Sequence, residues 1–260
     1  MSGAKWSDLR TRLISGVLMV LVGIAAVRLG GWWFGALAVI AGGVMIWELA
    51  AMMGADRAAV PLGLGAAASI LAARVLPVEG AVVLLVLAPL AGSMLVARDR
   101  GIFTAYALAM LVAADGLIGF RLEYGGTWLF WLIFVVIASD VGGYFAGRLI
   151  GGPKFWPAVS PKKTWSGTVA GWVGAALVGL LFLSFTDAGP DLPWISAFVA
   201  LAAQFGDIAE SAIKRRAGVK DSSALIPGHG GLLDRFDGLL GAALMMLLVA
   251  QFVDVPLVRL

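Results

Sequence analysis

The sequence has no cysteine and a single histidine, His229, among 260 residues. Without thiols there is no disulfide, no thiolate metal site and no cysteine nucleophile, and one imidazole per chain excludes a multi-histidine zinc centre. Any metal must then be a hard cation held by oxygen. Charge is scarce as well: charged residues make up 13% against 61% hydrophobic ones, with a mean hydropathy of +0.96. An ordinary soluble domain carries about a quarter charged residues, so this is the composition of a membrane protein. The net charge of +3 and the pI near 9.4 would hint at nucleic acid in a soluble chain. Here the basic residues have a topological explanation, and no nucleic-acid partner is expected.

Runs of about 20 apolar residues lie near 13–29, 32–53, 59–76, 79–97, 102–120, 127–150, 165–185, 193–214 and 237–256. Their connections are too short for a soluble domain. Lys5, Arg10 and Arg12 precede the first run in the manner of a signal peptide, but the second run begins almost at once, as after a first transmembrane helix. The expected fold is an all-α polytopic bundle of about nine transmembrane helices, five in 1–126 and four in 127–260. Several of the ten tryptophans, Trp32, Trp33, Trp128, Trp165 and Trp194, sit at run edges, where interfacial anchors belong.

With nine spans and a cytoplasmic N-terminus, the inside segments hold Lys5, Arg10, Arg12, Arg57, Arg98, Arg100, Arg148, Lys154, Lys162, Lys163, Lys214, Arg215, Arg216, Lys220 and Arg235. The outside segments keep Arg28, Arg74, Arg121 and Arg259. Fifteen against four supports this span count and orientation. A carboxylate facing lipid near the bilayer centre costs about 3 kcal/mol, so Asp140, Asp207 and Glu210 should face protein or water, all in the cytoplasmic half. Asp115 falls in the outer half and reads as solvated or paired with Arg121. Gln204, Asp207, Ser211 and Lys214 recur at helical spacing as one polar stripe, with Glu210 beside it. Asp140 shares a helix face with Gly143, Tyr144 and Gly147, whose small residues let another helix approach.

The densest polar chemistry lies between the last two runs, in 211–237. It brings Lys214, Arg215, Arg216, Lys220 and Arg235 for anionic oxygens, Asp221, Asp234 and Asp237 for a cation, and His229 among Gly228, Gly230 and Gly231. Such a mixture suits polyphosphate plus metal. A basic loop resting on anionic lipid would explain the cations but leaves the carboxylates and the glycine-flanked histidine without a role. A second basic loop, 151–167, has a turn at Ser160 and Pro161, then Lys162, Lys163, Thr164 and Ser166 leading into a helix N-terminus whose amides attract phosphate. It lacks the glycine spacing of a Walker A loop.

The stretch resembles the signature of the phosphatidate cytidylyltransferase family, also called CDP-diacylglycerol synthases. Ser211, Ile213, Lys214, Arg215, Lys220, Asp221, Pro227, His229, Gly230, Gly231, Leu232, Asp234, Arg235 and Asp237 fit it without a gap. The likeness extends back through 204–210, 160–167 and 140–147, about the C-terminal half, while the first five spans match only as generic hydrophobic helices. Ser166 departs from the acidic or amide residue of the family, so it carries no metal role. The resemblance implies an integral membrane enzyme that condenses CTP with phosphatidate to give CDP-diacylglycerol and pyrophosphate, with Mg2+, as a homodimer.

On that basis Asp207 and Asp234 are expected as metal ligands, with Asp237, Asp221 and Asp140 in support. Lys214, Arg215, Lys220 and Arg235 would bind phosphates, and Lys162 and Lys163 would close over one substrate. Ser211, on the polar stripe, is expected among the substrate-binding residues together with Asp221 and Asp140, and His229 would touch a phosphate oxygen or orient an aspartate. A second cation beside magnesium is left open. The expected location is a bacterial inner membrane, with the site on the cytoplasmic side. The rival readings are a CTP-dependent polyprenol or phytol kinase-like enzyme and a cation-coupled transporter, although no internal symmetry of the transporter kind is visible.

Overall fold

The structure, a computed structural model, describes residues 2–157 and 159–258, with side chains from residue 10 onward. Arg259, assigned above to the outside, lies outside the described residues, as does the side chain of Lys5. Each apolar run forms a helix: α1 (Ser2–Leu29), α2 (Gly31–Met52), α3 (Ala59–Ala73), α4 (Val78–Ser93), α5 (Arg100–Tyr124), α6 (Thr127–Leu149), α7 (Trp165–Leu183), α8 (Leu192–Ala217) and α9 (Leu233–Val249). Among the described residues six of these, α1, α2, α5, α6, α7 and α8, are long and apolar enough to cross a membrane. The other three, α3, α4 and α9, have 15, 16 and 17 residues. The chain is an all-α integral membrane protein. One small exception is an antiparallel ribbon of β1 (Lys154–Trp156) and β2 (Ser160–Thr164) between α6 and α7. Ser160 and Pro161, expected in a turn, therefore open a strand.

Several boundaries have local causes. Thr164 caps α7, its hydroxyl accepting from Gly167 N at 3.3 Å, which satisfies one of the amides a helix start leaves open. Gly218, with φ 75°, follows α8 in the left-handed conformation that ends many helices. The ninth helix starts at Leu233 rather than at 237, so Asp234 sits in its first turn.

Two compact units divide the chain. One comprises the residues up to Ile118 together with Arg216–Phe236, the other Gly119–Arg215 with the residues from Asp237 onward. In the first unit α2 and α3 pack backbone to backbone, since a Cβ built on Gly43 would stand 2.9 Å from the Gly63 carbonyl oxygen. The same unit answers the question of Asp115. Its partner is Arg74, whose Nη2 donates to Oδ2 at 2.6 Å and lies equally near Oδ1, rather than Arg121. Arg74 follows α3 and lies 41 residues away, a pairing that helical periodicity does not reveal.

In the second unit α6 and α7 meet through glycine. A Cβ on Gly167 would stand 2.5 Å from the Gly143 carbonyl oxygen, so the small-residue face of α6 is a helix contact. A Cβ on Gly206 of α8 would overlap the carbonyl oxygen of Asp237, and one on Gly241 would overlap that of Ala202. The α8–α9 contact thus has no room for a methyl group. Buried Trp131 donates its indole N–H to Ser196 at 3.0 Å and Trp128 to the Pro256 carbonyl at 2.8 Å, so both indoles satisfy their polar edge.

Candidate active site

The second unit has an open cavity of about 490 Å3 walled by α6, β2, α7 and α8. Asp140, Tyr144 and Arg148 reach it from α6, Lys162, Lys163 and Thr164 from β2, Thr168 from α7, and Gln204 and Asp207 from α8. Residues i and i+4 share a helix face, which is why Asp140, Tyr144 and Arg148 line one wall. Arg148 donates to the Tyr144 hydroxyl at 2.8 Å.

Lys163 is the centre of the cavity's chemistry. Its ammonium pairs with Asp207 Oδ2 at 2.6 Å and donates to the Gln204 carbonyl at 3.2 Å. Gln204 is buried and fully engaged, accepting from the Trp172 indole N–H at 3.2 Å and donating to Ser139 Oγ and the Thr168 carbonyl. That network locks the turn of α8 from which Asp207 projects. Ser211 donates to Asp207 Oδ1 at 3.3 Å, which realises the polar stripe of α8 as a hydrogen bond. Asp237 accepts from the following amide, Gly238 N, at 2.7 Å, and it lies within electrostatic reach of Asp207, Asp140 and Lys214. Lys214 pairs with the fully buried Glu210 one turn earlier, so its charge offsets an acid that is otherwise costly to bury. Arg215 is exposed.

The first unit holds the rest of the signature as an ordered loop. Ile226 and Gly230 exchange both backbone hydrogen bonds, at 2.7 and 3.1 Å. Gly228 and Gly230 have φ of 75° and 87°, the left-handed conformation this tight return requires. Gly231 is there for space: a Cβ on it would overlap Ser222 Oγ and stand 2.5 Å from Glu48 Oε1. Asp234 Oδ2 accepts from Ser222 N at 2.8 Å, Ser222 Oγ at 3.0 Å and Gly231 N at 2.8 Å. The carboxylate expected to hold metal thus has one oxygen committed to its own loop. Arg235 grips the His229 carbonyl with Nε and Nη2, at 3.1 and 2.8 Å, and His229 Nδ1 lies 2.9 Å from Ser15 Oγ of α1. Lys220 and Asp221 are exposed.

Three residues take roles that the sequence did not suggest. Arg216, counted among the anion binders, pairs with Asp99 through Nη2 at 2.7 Å, and that hydrogen-bonded guanidinium holds the Asp99 carboxyl below the usual carboxylate range. Arg148 lines the cavity, and its position four residues after Tyr144 was the available signal. Glu48, fully buried in α2, accepts four hydrogen bonds from the loop, from Ser222 Oγ, Ser223 Oγ, Leu232 N and Leu233 N. As the single charged residue of α2 it could have been flagged from the sequence, because a lone acid in an apolar span is costly and marks a function or a partner.

The residues present fit a magnesium ion. The oxygens that hold the Lys163 ammonium, a carboxylate and a carbonyl, are the hard donors such a cation takes. Among the described residues no three acidic or histidine side chains form a cage. Magnesium does not need one, since it keeps several waters and binds through one or two carboxylates and substrate phosphates.

Known proteins supply the comparison. A phosphatidate cytidylyltransferase of Brucella suis biovar 1 (strain 1330) is 44% identical over 135 residues, 51% of this chain and 50% of that protein. One of Helicobacter pylori (strain J99) is 40% identical over 141 residues, covering 54% and 53%, and one of Mycobacterium bovis is 42% identical over 125 residues, covering 46% and 40%. The chain spans about half the length of the curated relatives it matches. The family model described as the cytidylyltransferase family matches residues 10–253, nearly the whole chain, and the chain belongs to that family.

Proposed function

We propose that this chain is a phosphatidate cytidylyltransferase, joining CTP to phosphatidate to give CDP-diacylglycerol and pyrophosphate. The observation that carries this reading is the cavity in which the carboxylates of Asp140 and Asp207 share walls with the cations of Lys162, Lys163 and Arg148. Family membership and the relatives' names supply the reaction type.

A phosphate oxygen of phosphatidate forms the new bond to the α-phosphorus of CTP. The bond from that phosphorus to the oxygen bridging to the β-phosphate breaks, and pyrophosphate leaves with the electron pair. A phosphomonoester has a second pKa of about 6, so the nucleophile is ionised at neutral pH and no strong base is required. The difficulty is bringing one anion to another. Lys163, Lys162 and Arg148 lower it by neutralising phosphate charge around the cavity. Arg215 is a further cation of α8, Ser211 and Lys214 hold the acids of that helix, and the signature loop is proposed to bind phosphate through Lys220 and Arg235, with His229 and Asp221 beside them in the same loop. Magnesium, when bound, supplies charge neutralisation and alignment of the phosphates. Asp207 would hold it, with Asp140 and Asp237 in support, while Asp234 organises its loop.

The proposed setting is a bacterial inner membrane, with nine spans, a cytoplasmic N-terminus, the site at the cytosolic surface and a homodimeric assembly. The excess of basic residues in alternate connections supports the orientation. Such a site lets the acyl chains of phosphatidate stay in the bilayer while CTP arrives from water.

Purified protein in mixed micelles of phosphatidate, given CTP and magnesium, is expected to release pyrophosphate only when both substrates are present. Asp207→Asn is expected to lower that release by about 100-fold or more. Release of CDP instead would make the chain a CTP-dependent lipid kinase, and folded protein that turns over nothing would end the transferase reading.

A further inference from the structure

Glu48 has no place in the signature, in the cavity or in the reaction as written above. Yet it is fully buried, and both of its oxygens are used twice. Oε1 accepts from Ser223 Oγ at 2.6 Å and Leu232 N at 2.9 Å, and Oε2 accepts from Leu233 N at 2.7 Å and Ser222 Oγ at 3.2 Å. The donors are 174 to 185 residues away in sequence, so the carboxylate ties α2 to a loop that no local rule connects to it.

The pattern is specific. Leu232 and Leu233 supply amides at the start of α9, where a helix leaves its N–H groups without internal partners and favours negative charge. Glu48 therefore caps α9 from another helix. Ser222 and Ser223 tie down the other end of the loop. The Ser222 hydroxyl also lies 3.0 Å from Asp234 Oδ2, so Glu48 and Asp234 grip the same serine from two elements. Any side chain at Gly231 would enter the space that Ser222 Oγ and Glu48 Oε1 occupy, which gives the second glycine of the His-Gly-Gly run a reason in Glu48. The loop so held carries His229 and leads into Asp234 and Arg235.

We propose that Glu48 is a positioning residue: from α2 it sets the shape of the 222–233 loop and the start of α9, and thereby where Asp234, His229 and Arg235 are presented for turnover. The part concerning turnover rests on the cytidylyl-transfer reading above, whereas the part concerning loop shape stands without it. No substrate contact by Glu48 is required.

The test uses the full-length protein in lipid nanodiscs with Glu48→Gln, which keeps the size but offers one acceptor oxygen where there were two, and with Glu48→Asp, which keeps the charge on a shorter arm. Backbone hydrogen exchange is read by mass spectrometry in peptides covering 222–233 and in peptides of α6 and α7. The expected result for Glu48→Gln is exchange roughly tenfold faster or more in the loop, with α6 and α7 unchanged, because a buried group has lost its partners. Pyrophosphate release is expected to show kcat lowered at least tenfold and KM for CTP raised. Unfolding of a fraction of molecules would lower kcat and leave KM unchanged. Glu48→Asp is expected to recover part of both. Loop exchange and kinetics that match the wild type in Glu48→Gln would overturn the proposal. Should that variant fail to fold, Ser223→Ala removes one of the four donors, and wild-type loop exchange in both it and Glu48→Asp would be equally damaging. An inactive wild type would sink the transferase reading alone, since the exchange arm still decides whether Glu48 shapes the loop.

Discussion

Gly206→Ala adds one methyl group and changes no charge, yet it should cost this protein both stability and turnover. A Cβ at that position would overlap the Asp237 carbonyl oxygen, and would stand 3.2 Å from its carbonyl carbon and 3.1 Å from Gly241 N. These neighbours are backbone atoms of α9 and have no rotamer with which to give way. Restoring ordinary van der Waals separation requires α8 and α9 to part by about 1 Å. Overpacking of this kind costs about 1–3 kcal/mol. On the proposed function the chemical consequence is larger, because Asp207 follows Gly206 directly and Asp237 is the residue being pushed. A displacement of about 1 Å between groups that must act together lowers rates by about 100-fold. Thermal unfolding in detergent and pyrophosphate release would be measured beside Gly23→Ala, where an added Cβ meets nothing within 4 Å. Wild-type stability and turnover in Gly206→Ala would refute the claim that a backbone contact sets the spacing of the two acids.

Two further outcomes are expected. Lys163→Met keeps the stem but removes the charge beside Asp207, and turnover should fall by about 100-fold or more. Stability should change little, since 39% of the Asp207 side chain is exposed and water can solvate the carboxylate left behind. Unfolding at lower temperature with turnover intact would make Lys163 a structural residue. The Asp99–Arg216 pair predicts a pH dependence. A carboxyl whose folded pKa is depressed stabilises above its unfolded value and loses that contribution as pH falls through the folded one. Wild type and Asp99→Asn should therefore differ by a constant amount in unfolding temperature around neutral pH and converge only below about pH 4. Convergence near pH 6 would contradict the pairing, and high salt should shrink the gap.

The helices α1 to α9 were legible because long apolar runs stand out in any window, and among the described residues six of them are long and apolar enough to cross a membrane. The small-residue face of Gly143 and Gly147 was legible for a similar reason, since a close helix contact leaves its mark as absent side chains. The short ribbon was not. Its strands have three and five residues, and the longer one is polar and contains Pro161, so neither periodicity nor composition marks them. Long-range pairings escaped as well. Arg121 is the nearer cation to Asp115 in sequence, but Arg74 and Asp115 lie in one unit, where they pair.

Within the signature, the residue types did not reveal which partner each cation takes. A count of cations in 211–237 treats Lys214, Arg216 and Arg235 alike. In the structure one offsets Glu210, one pairs with Asp99 and one closes on the His229 carbonyl. Glu48 went unread because the pattern that marks its helix is hydrophobic, and a single acid changes that pattern very little. Its meaning lies in donors supplied from far along the chain.

The ribbon that carries Lys162 and Lys163 bears on binding kinetics. Two strands of this length do not hold together in water by themselves, but here Trp165 N donates to the Pro153 carbonyl, Ser166 Oγ donates to the Gly151 carbonyl and Phe155 packs edge-on against Trp165. The open end of the ribbon, where β1 starts and β2 ends, is thereby fastened to the first turn of α7. A lysine on a loose coil would lose backbone freedom each time an anion arrived, whereas these lysines lost it when the chain folded. If these lysines bind substrate phosphate as proposed, the entropic penalty of capture is correspondingly small. Loosening the ribbon with Phe155→Ala should show itself chiefly as faster nucleotide escape, with the encounter rate little altered.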